Sequence, residues 1–228
     1  MQTYIFMKLI PFSHVHPDDK NRMNTQLIDW VAKHQEPLVW LNGWKPGCVN
    51  VGAGQRVEVV VDVAEATKQG LIVVQRQGGG GTMYLSEDGE VSWAIIAPKA
   101  QLPEDINDIY KEICGRIVKA LATIGITAHH KPINDVATEN GKISGSTVRK
   151  TKGVTYVGGT LLYSINREQM WSVLYPNGVD DKGRNKNSLR LTSVQEESGA
   201  TKEELISALT EGLTQDEYTS IELGDVLP

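Results

Sequence analysis

Two short stretches of the chain combine residue types that can do chemistry on an anion. In the first, four consecutive glycines, Gly78 to Gly81, follow the apolar run LIVVQR at 71–76. Each glycine costs backbone entropy on folding, so a run of four needs a reason. Bare backbone N–H groups that approach an anion or a flat ligand closely are one reason. A plain hairpin turn or loop is the other. Arg76 stands just before the run, where a guanidinium suits a phosphate or a carboxylate. In the second stretch, NDVATENGKISGSTVRK at 134–150, Asn140-Gly141 signals a turn and Lys142 opens a strand. Three of the next four residues, Ser144, Gly145 and Ser146, are small and leave room for a ligand to lie against the backbone. A lysine at the start of such a strand can reach over that ligand as a point charge. Taken alone, Lys142 reads as a solvated surface lysine. Asn134 and Asp135 read as turn formers, with Asp135 also a candidate ligand for a magnesium ion.

Other chemistries find less support. No GxxxxGK[ST] pattern occurs, and the glycine run is followed by a strand pattern, not by the helix a dinucleotide fingerprint requires. Gly141 to Gly145 reads G-K-I-S-G, one residue out of register for a hydrolase elbow. His129-His130 is an adjacent pair without metal-ligand spacing, and reads as two solvated histidines. Cys48 and Cys114 lie far apart and form no CxxC pair, which fits a reducing cytosol. The formal net charge is −5 with no basic stripe, so nucleic acid is not an expected partner. No stretch approaches the ~20 apolar residues of a membrane span, and Met1 to Ile10 lacks the pattern of a signal peptide. The expectation is a cytoplasmic protein with no membrane contact. Glu196-Glu197 and the acidic tail read as solvated faces, or as a surface for a partner.

Among the elements that must hold these residues, strands are expected at 4–10, 38–41, 49–51, 71–76, 90–96, 142–149 and 154–163. The run at 71–76, continuously apolar, has the pattern of a central strand. Helices are expected at 18–35, on Met23, Leu27, Trp30 and Val31, and at 62–68, capped by Asp62 and stopped by Gly70. The clearest helix is 104–124, with Ile106, Ile109, Ile113, Ile117 and Leu121 in one stripe and Gly125 at its end; Cys114 beside it reads as a buried apolar residue. Helices at 167–174 and near 201–213 complete the order. This is an α+β class: one domain over 1–228, with a mixed, largely antiparallel sheet flanked by helices.

With these features in place, the chain resembles the lipoate-protein ligase A family. VQRQGGGGTMY at 74–84 is similar to its RRxxGGGxVxH loop. NDVATENGKISGSTVRKTKGVTYVGGTLLYSIN at 134–166 is similar to its ND…GKKISGSA…HHGTLL region. WKPGCVNVGAGQ at 44–55 and SLRLTSVQE at 188–196 look like its WxPxxVSLGxxQ and SVRSRVTNL stretches. The match is collinear from about residue 8 to residue 215; a tri-glycine alone is weak, whereas KISGS and GGTLL in fixed order and spacing are specific. The resemblance implies the catalytic-domain fold shared with biotin-protein ligases. It also implies a two-step reaction using ATP, lipoate and Mg²⁺: formation of lipoyl-AMP, then transfer to a lysine of a lipoyl carrier domain. That carrier would be a 2-oxoacid dehydrogenase acyltransferase subunit or a glycine-cleavage H-like protein. Carried over by position, Arg76 would contact phosphate, and Gly79, Gly80 and Gly81 would line the lipoyl-AMP pocket. Thr82, Met83 and Tyr84 would border the nucleotide. Lys142 would bridge the lipoate carboxylate and the α-phosphate as the catalytic cation, with Asn134 and Asp135 beside it and Asp135 near the metal.

The chain departs from the family at three points. A His-Asp-x-Gly-Asn run is here Leu85 to Gly89, and HHGT is here Val157, Gly158, Gly159, Thr160, so the histidines are absent. The small C-terminal domain of full-length ligases has no counterpart up to Pro228, which raises the expectation of a separate small accessory ligase subunit. The departures keep two other readings open. One is a lipoyl or octanoyl transferase, with or without a cysteine acyl-enzyme; the other is a non-catalytic lipoate-binding homologue.

Overall fold

The computed structural model describes residues 6–179, 183, 185 and 189–227. Tyr4 and Ile5 of the strand expected at 4–10, and Ser188 of the 188–196 stretch, lie outside them. Strand β1 (Met7–Val15) runs on through Pro11, with a register irregularity between Ile10 and Ser13. A bulge there is where the ladder can spare the N–H that proline lacks. Helix α1 (Lys20–His34) turns Met23, Leu27, Ile28 and Val31 inward, while Trp30 stays partly exposed. The fully buried β2 (Leu38–Trp44) leads to β3 (Cys48–Val51) and to α2 (Val57–Val60), a single turn with no sequence signal. In α3 (Val63–Lys68), Asp62 Oδ1 accepts from the Glu65 N–H at 2.9 Å, the cap expected of it. The glycine run connects β4 (Ile72–Gln75) to β5 (Met83–Leu85), and β6 (Glu90–Pro98) follows.

Helix α4 (Ile106–Thr123) is capped by Asp105 and buries Ile109, Ile113, Cys114, Ile117 and Leu121; its stripe's first member, Ile106, is exposed. Next come β7 (His129–Lys131), β8 (Asp135–Ala137), β9 (Lys142–Thr151) and β10 (Val154–Leu162). The remaining elements are α5 (Arg167–Val173), α6 (Val194–Glu197), α7 (Lys202–Thr214), β11 (Tyr218–Ser220) and α8 (Leu223–Val226). A complete capping box of Thr201 and Glu204 starts α7.

Eight strands form one sheet in the order β11-β1-β2-β6-β10-β9-β8-β7. The β1 strand is parallel to β11 and to β2, and every other pairing is antiparallel, as the α+β reading expects. One face packs on α4 and α7 around Val39, Leu41, Trp93, Val157 and Leu161. The other carries Leu38, Trp40, Trp44 and Ile96 and is covered by α1 and by a second, three-stranded sheet, β4-β3-β5. The run LIVVQR is therefore not a central strand: β4 is an edge of the small sheet. Ile72 and Val74 face one cluster and Leu71 and Val73 the other. A continuous apolar run reports two covered faces, not two paired edges. No helix among the described residues is long and apolar enough to cross a membrane.

Candidate active site

Antiparallel register places Asp135, Gly145, Thr160, Ser92 and Asn42 opposite one another in a row across five strands, β8, β9, β10, β6 and β2. Alternation along β2 puts Asn42 on the same face as Trp40 and Trp44, so the row looks toward the small sheet. Lys142 reaches this row through a bulge. Residues Lys142 to Ser144 of β9 oppose only Ala137 and Val136 of β8, so Ile143 is the extra residue. It drops into the helix-side core, and the lysine side chain turns over Gly145. A Cβ at Gly145 would stand 2.6 Å from Lys142 Nζ, so only glycine leaves this path open. The ammonium ends 2.6 Å from Asp135 Oδ1, with both side chains partly exposed. Lys142 is thus not a free surface lysine, and Asp135 is a strand residue, not a turn former.

The remaining residues of that segment build the support. The Lys142 N–H donates to Arg190 O at 2.9 Å and its carbonyl accepts from the Thr192 N–H at 3.0 Å. This ties the lysine to the 188–196 stretch. Asn134 Nδ2 donates to Ser146 O at 2.5 Å, while the Ser146 N–H and hydroxyl donate back to Asn134 O. Ser144 donates to Thr160 O at 2.7 Å. The two serines serve the scaffold, and of the three small residues only Gly145 lies beneath Lys142.

The glycine loop is held from inside. Arg76 donates through Nε and Nη2 to Gly79 O at 3.2 and 2.9 Å, through Nη2 to Gly81 O at 2.7 Å, and through Nη1 to Asn50 O at 2.9 Å. In this structure its guanidinium faces the loop's own carbonyls, where the sequence suggested a phosphate. Burial draws its pKa down; a guanidinium nonetheless stays charged. Gly80 adopts φ +98°, and a Cβ on Gly52 would fall 2.1 Å from Gly80 O, so these two glycines are demanded by backbone packing. Thr82 donates to Gln55 Oε1 at 2.9 Å, and the same oxygen accepts from the Gly52 N–H at 3.1 Å. Beyond the loop, Met83 lays its sulfur 3.8 Å from the Thr160 hydroxyl, directly beside Gly145 in the row. Loop exit and lysine therefore meet across one strand pair. Tyr84 borders a small cleft with Ser86, Glu90, Ser164 and Leu191. Burial pushes its phenol up, helped by Glu90.

Sequence reasoning missed three polar residues here. Gln55 splices the loop to its neighbour, as just described. Glu90 is 1% exposed with its carboxyl pushed well up by burial. Lys20 lays its ammonium 3.4 Å from the centre of the Trp40 ring and 2.5 Å from Asn42 Oδ1. A lone lysine or glutamate in a sequence carries no periodic sign of burial, so nothing local could reveal the last two. The acidic pair Glu196-Glu197 is also not merely solvated. Glu196 is paired with Arg167, and Glu197 Oε1 accepts from Thr138, Asn140 and Thr192, closing α6 onto the β8–β9 turn.

The positions where histidines were absent have no space for them. Leu85 and Val157 are core residues, and a Cβ on Gly158 would lie 2.4 Å from the Tyr156 hydroxyl. Both thiols are buried. Burial pushes Cys48 far up, and pushes Cys114 to about 11. Cys114 touches Ser146 on the helix side of the sheet, away from the face Lys142 crosses. Among the described residues no group of three His, Cys, Asp or Glu side chains converges to hold a metal ion.

The profile of the lipoyl protein ligase A/B catalytic domain matches residues 17–214. Octanoyltransferase LipM of Geobacillus kaustophilus is 24% identical over 198 residues, covering 75% of this chain and 70% of that protein. The probable lipoate-protein ligase A of Mycoplasma pneumoniae is 28% identical over 169 residues, covering 72% of this chain and 46% of that protein. Lipoate-protein ligase A of Psychrobacter cryohalolentis is 26% identical over 215 residues, covering 90% and 60% respectively. The chain thus spans about half the length of these ligases. In fold it is similar to a bi-partite lipoate protein ligase of Thermoplasma acidophilum, with a TM-score of 0.76 and 20% identity over 97% of this chain and 90% of that one. A lipoate-protein ligase A structure bound with ATP gives a TM-score of 0.77 at 17% identity, covering 97% and 92%. With a family profile matched over most of its length, the chain belongs to the lipoyl protein ligase A/B catalytic domain family.

Proposed function

We propose that the protein is an ATP-dependent ligase that activates a medium-length carboxylic acid, lipoate or one of octanoyl length, and transfers it to a lysine of a lipoyl carrier domain. The observation that carries this reading is Lys142, turned over Gly145 by the Ile143 bulge and set 2.6 Å from Asp135. An acid oxygen attacks the α-phosphorus of ATP, the α–β anhydride bond breaks, and pyrophosphate leaves. Little covalent help is needed; charge must be neutralised and the groups held in line. The Lys142 ammonium does the first at the shared oxygen of carboxylate and phosphate, held in place by Asp135. The loop held by Arg76 presents backbone to the same adduct. In the second step the carrier lysine's amine attacks the acyl carbon and AMP leaves. A magnesium ion would be held by Asp135 together with nucleotide phosphates, the usual mode for a cation that keeps few protein ligands.

The relatives that are octanoyltransferases keep a second reading in view. The two described thiols, buried and raised in pKa, supply poor nucleophiles for it. The bi-partite archaeal ligase with its E2 lipoyl domain supports a carrier of that kind and a separate accessory subunit as partners. The test gives the purified chain ATP, Mg²⁺, lipoate or octanoate and a lipoyl domain, with and without an accessory protein. Pyrophosphate release and a carrier mass increased by the acyl group are expected. Acyl transfer from an octanoylated carrier without ATP, lost in the Cys48→Ser/Cys114→Ser variant, would overturn the ligase reading.

A further inference from the structure

Lys142 stands where β9 loses a neighbour. Pairing with β10 reaches no further than Ser144, and past it Leu191 takes the open edge in one isolated parallel bridge. Both backbone groups of Lys142 are spent there, on Arg190 O and on the Thr192 N–H. A Cβ at Gly141 would stand 2.8 Å from the Arg190 carbonyl, so the two stretches lie in direct backbone contact. The root of the lysine is therefore fixed by a short stretch that belongs to no strand of the sheet.

Glu197 holds that stretch from both sides at once. Its Oε1 accepts from the Thr192 hydroxyl at 2.6 Å, the Thr138 hydroxyl at 2.8 Å and Asn140 Nδ2 at 3.1 Å, and Oε2 accepts from the same Asn140 amide at 3.2 Å. Thr138 and Asn140 belong to the turn that feeds Lys142, closed by the Thr138 N–H on Gly141 O at 2.9 Å. Thr192 carries the N–H that the Lys142 carbonyl accepts. One carboxylate thus ties the chain before the lysine to the chain beside it. Helix α6 keeps the carboxylate in place: Val194 is buried in the helix-side core, and the Gln195 N–H donates to Tyr163 O at 3.0 Å. Both threonines are buried, so neither hydroxyl can trade the lost acceptor freely for water. Burial would raise the Glu197 carboxyl, but the bonds from Thr192, Thr138 and Asn140 bring it below its ordinary value.

We infer that Glu197 is a positioning residue for Lys142, fixing the Gly141–Lys142 backbone so that the ammonium ends over Gly145. This rests on the acyl-activation reading above. Asp135 tethers the tip of the side chain and Glu197 its root. A root displaced by about 1 Å can cost up to about a hundredfold in a step that depends on placement. Glu197 acts through the lysine alone, and that gives its contribution a signature.

The test uses the full chain with ATP, Mg²⁺ and lipoate or octanoate, read by pyrophosphate release, with thermal melts to establish folding. Glu197→Ala should lower kcat about 10- to 100-fold while the KM for ATP stays within about twofold. Glu197→Gln should keep most of the rate, since its amide oxygen still accepts. Thr192→Val opens the clamp from the other side at nearly equal volume; it should fall between the two, and it replaces the alanine variant should that fail to fold. In the Lys142→Met background, Glu197→Ala should cost nothing further, because its effect has lost its target. An unchanged kcat in Glu197→Ala, or a loss of the same size with and without the lysine, overturns the positioning role and leaves the activation chemistry standing. A second readout does not depend on turnover. The NMR signal of ¹³C-methylated Lys142, identified by its loss in Lys142→Met, should move toward those of exposed lysines in Glu197→Ala. If wild type releases no pyrophosphate, the activation reading falls, and that signal alone decides the hold of Glu197 on the lysine: unmoved, it overturns it.

Discussion

A single residue, Gly145, sets the terms for the chemistry proposed at Lys142. Alanine there would put a methyl 2.6 Å from the ammonium and push the lysine off its path. Gly145→Ala should therefore lower kcat while the melting temperature stays near wild type, read by pyrophosphate release beside a thermal melt. Lys142→Met should cost more, about 10²–10³ in kcat, the usual loss when one electrostatic stabiliser is removed. Equal rates for wild type and Lys142→Met would remove the lysine from the mechanism. The ion pair with Asp135 is partly exposed, so it adds little to stability. Asp135→Asn is expected to leave the melt unchanged and to slow activation, because the lysine loses its tether. Replacing both cysteines by serine should leave the ATP-dependent rate as it was.

At the scale of elements, α4 is the part most plainly written in the sequence. Its apolar stripe and the Gly125 stop are local, and 3.6-residue periodicity delivers the stripe; the Asp105 cap is seen only in the structure. Ile113→Ala should lower stability by about 2–5 kcal/mol, measured by denaturant unfolding, since the residue is fully buried. The short α6 was not legible in the same way. Its meaning comes from Arg167 and from the β8–β9 turn, both distant in sequence. Hydrogen bonds from Arg167 hold the Glu196 carboxyl below its ordinary value, against the opposing effect of partial burial. A carboxyl depressed in the folded state contributes stability above its unfolded pKa of about 4.3 and loses it as pH falls through the lower folded value. The stability gap between wild type and Glu196→Gln should thus be full at neutral pH and close below about pH 4. The Ile143 bulge and the Asp135–Gly145–Thr160–Ser92–Asn42 row were illegible for a related reason. Register between strands is a tertiary quantity, so the sequence showed which residues were small but not which lay under the lysine.

On the scale of the whole molecule, the candidate site lies between two sheets. The large one supplies the floor and Lys142, and the small one supplies the glycine loop and the Met83 roof. The loop was readable as a loop; that an arginine would fasten it from within was not, because a guanidinium beside glycines suggests an external anion just as well. That fastening has a directional result. In a planar trans peptide the N–H of one residue points opposite to the carbonyl of the residue before it. With the Gly79 and Gly81 carbonyls both drawn toward Arg76, the amides of Gly80 and Thr82 are turned outward together. Arg76 thus polarises the loop, giving it an acceptor side that is spent internally and a donor side left for a visitor. A planar fork can span those carbonyls and a single ammonium cannot. Arg76→Lys should accordingly weaken ATP binding nearly as much as Arg76→Ala, although the charge is conserved, and calorimetry on the two variants would show whether direction or charge is what the loop needs.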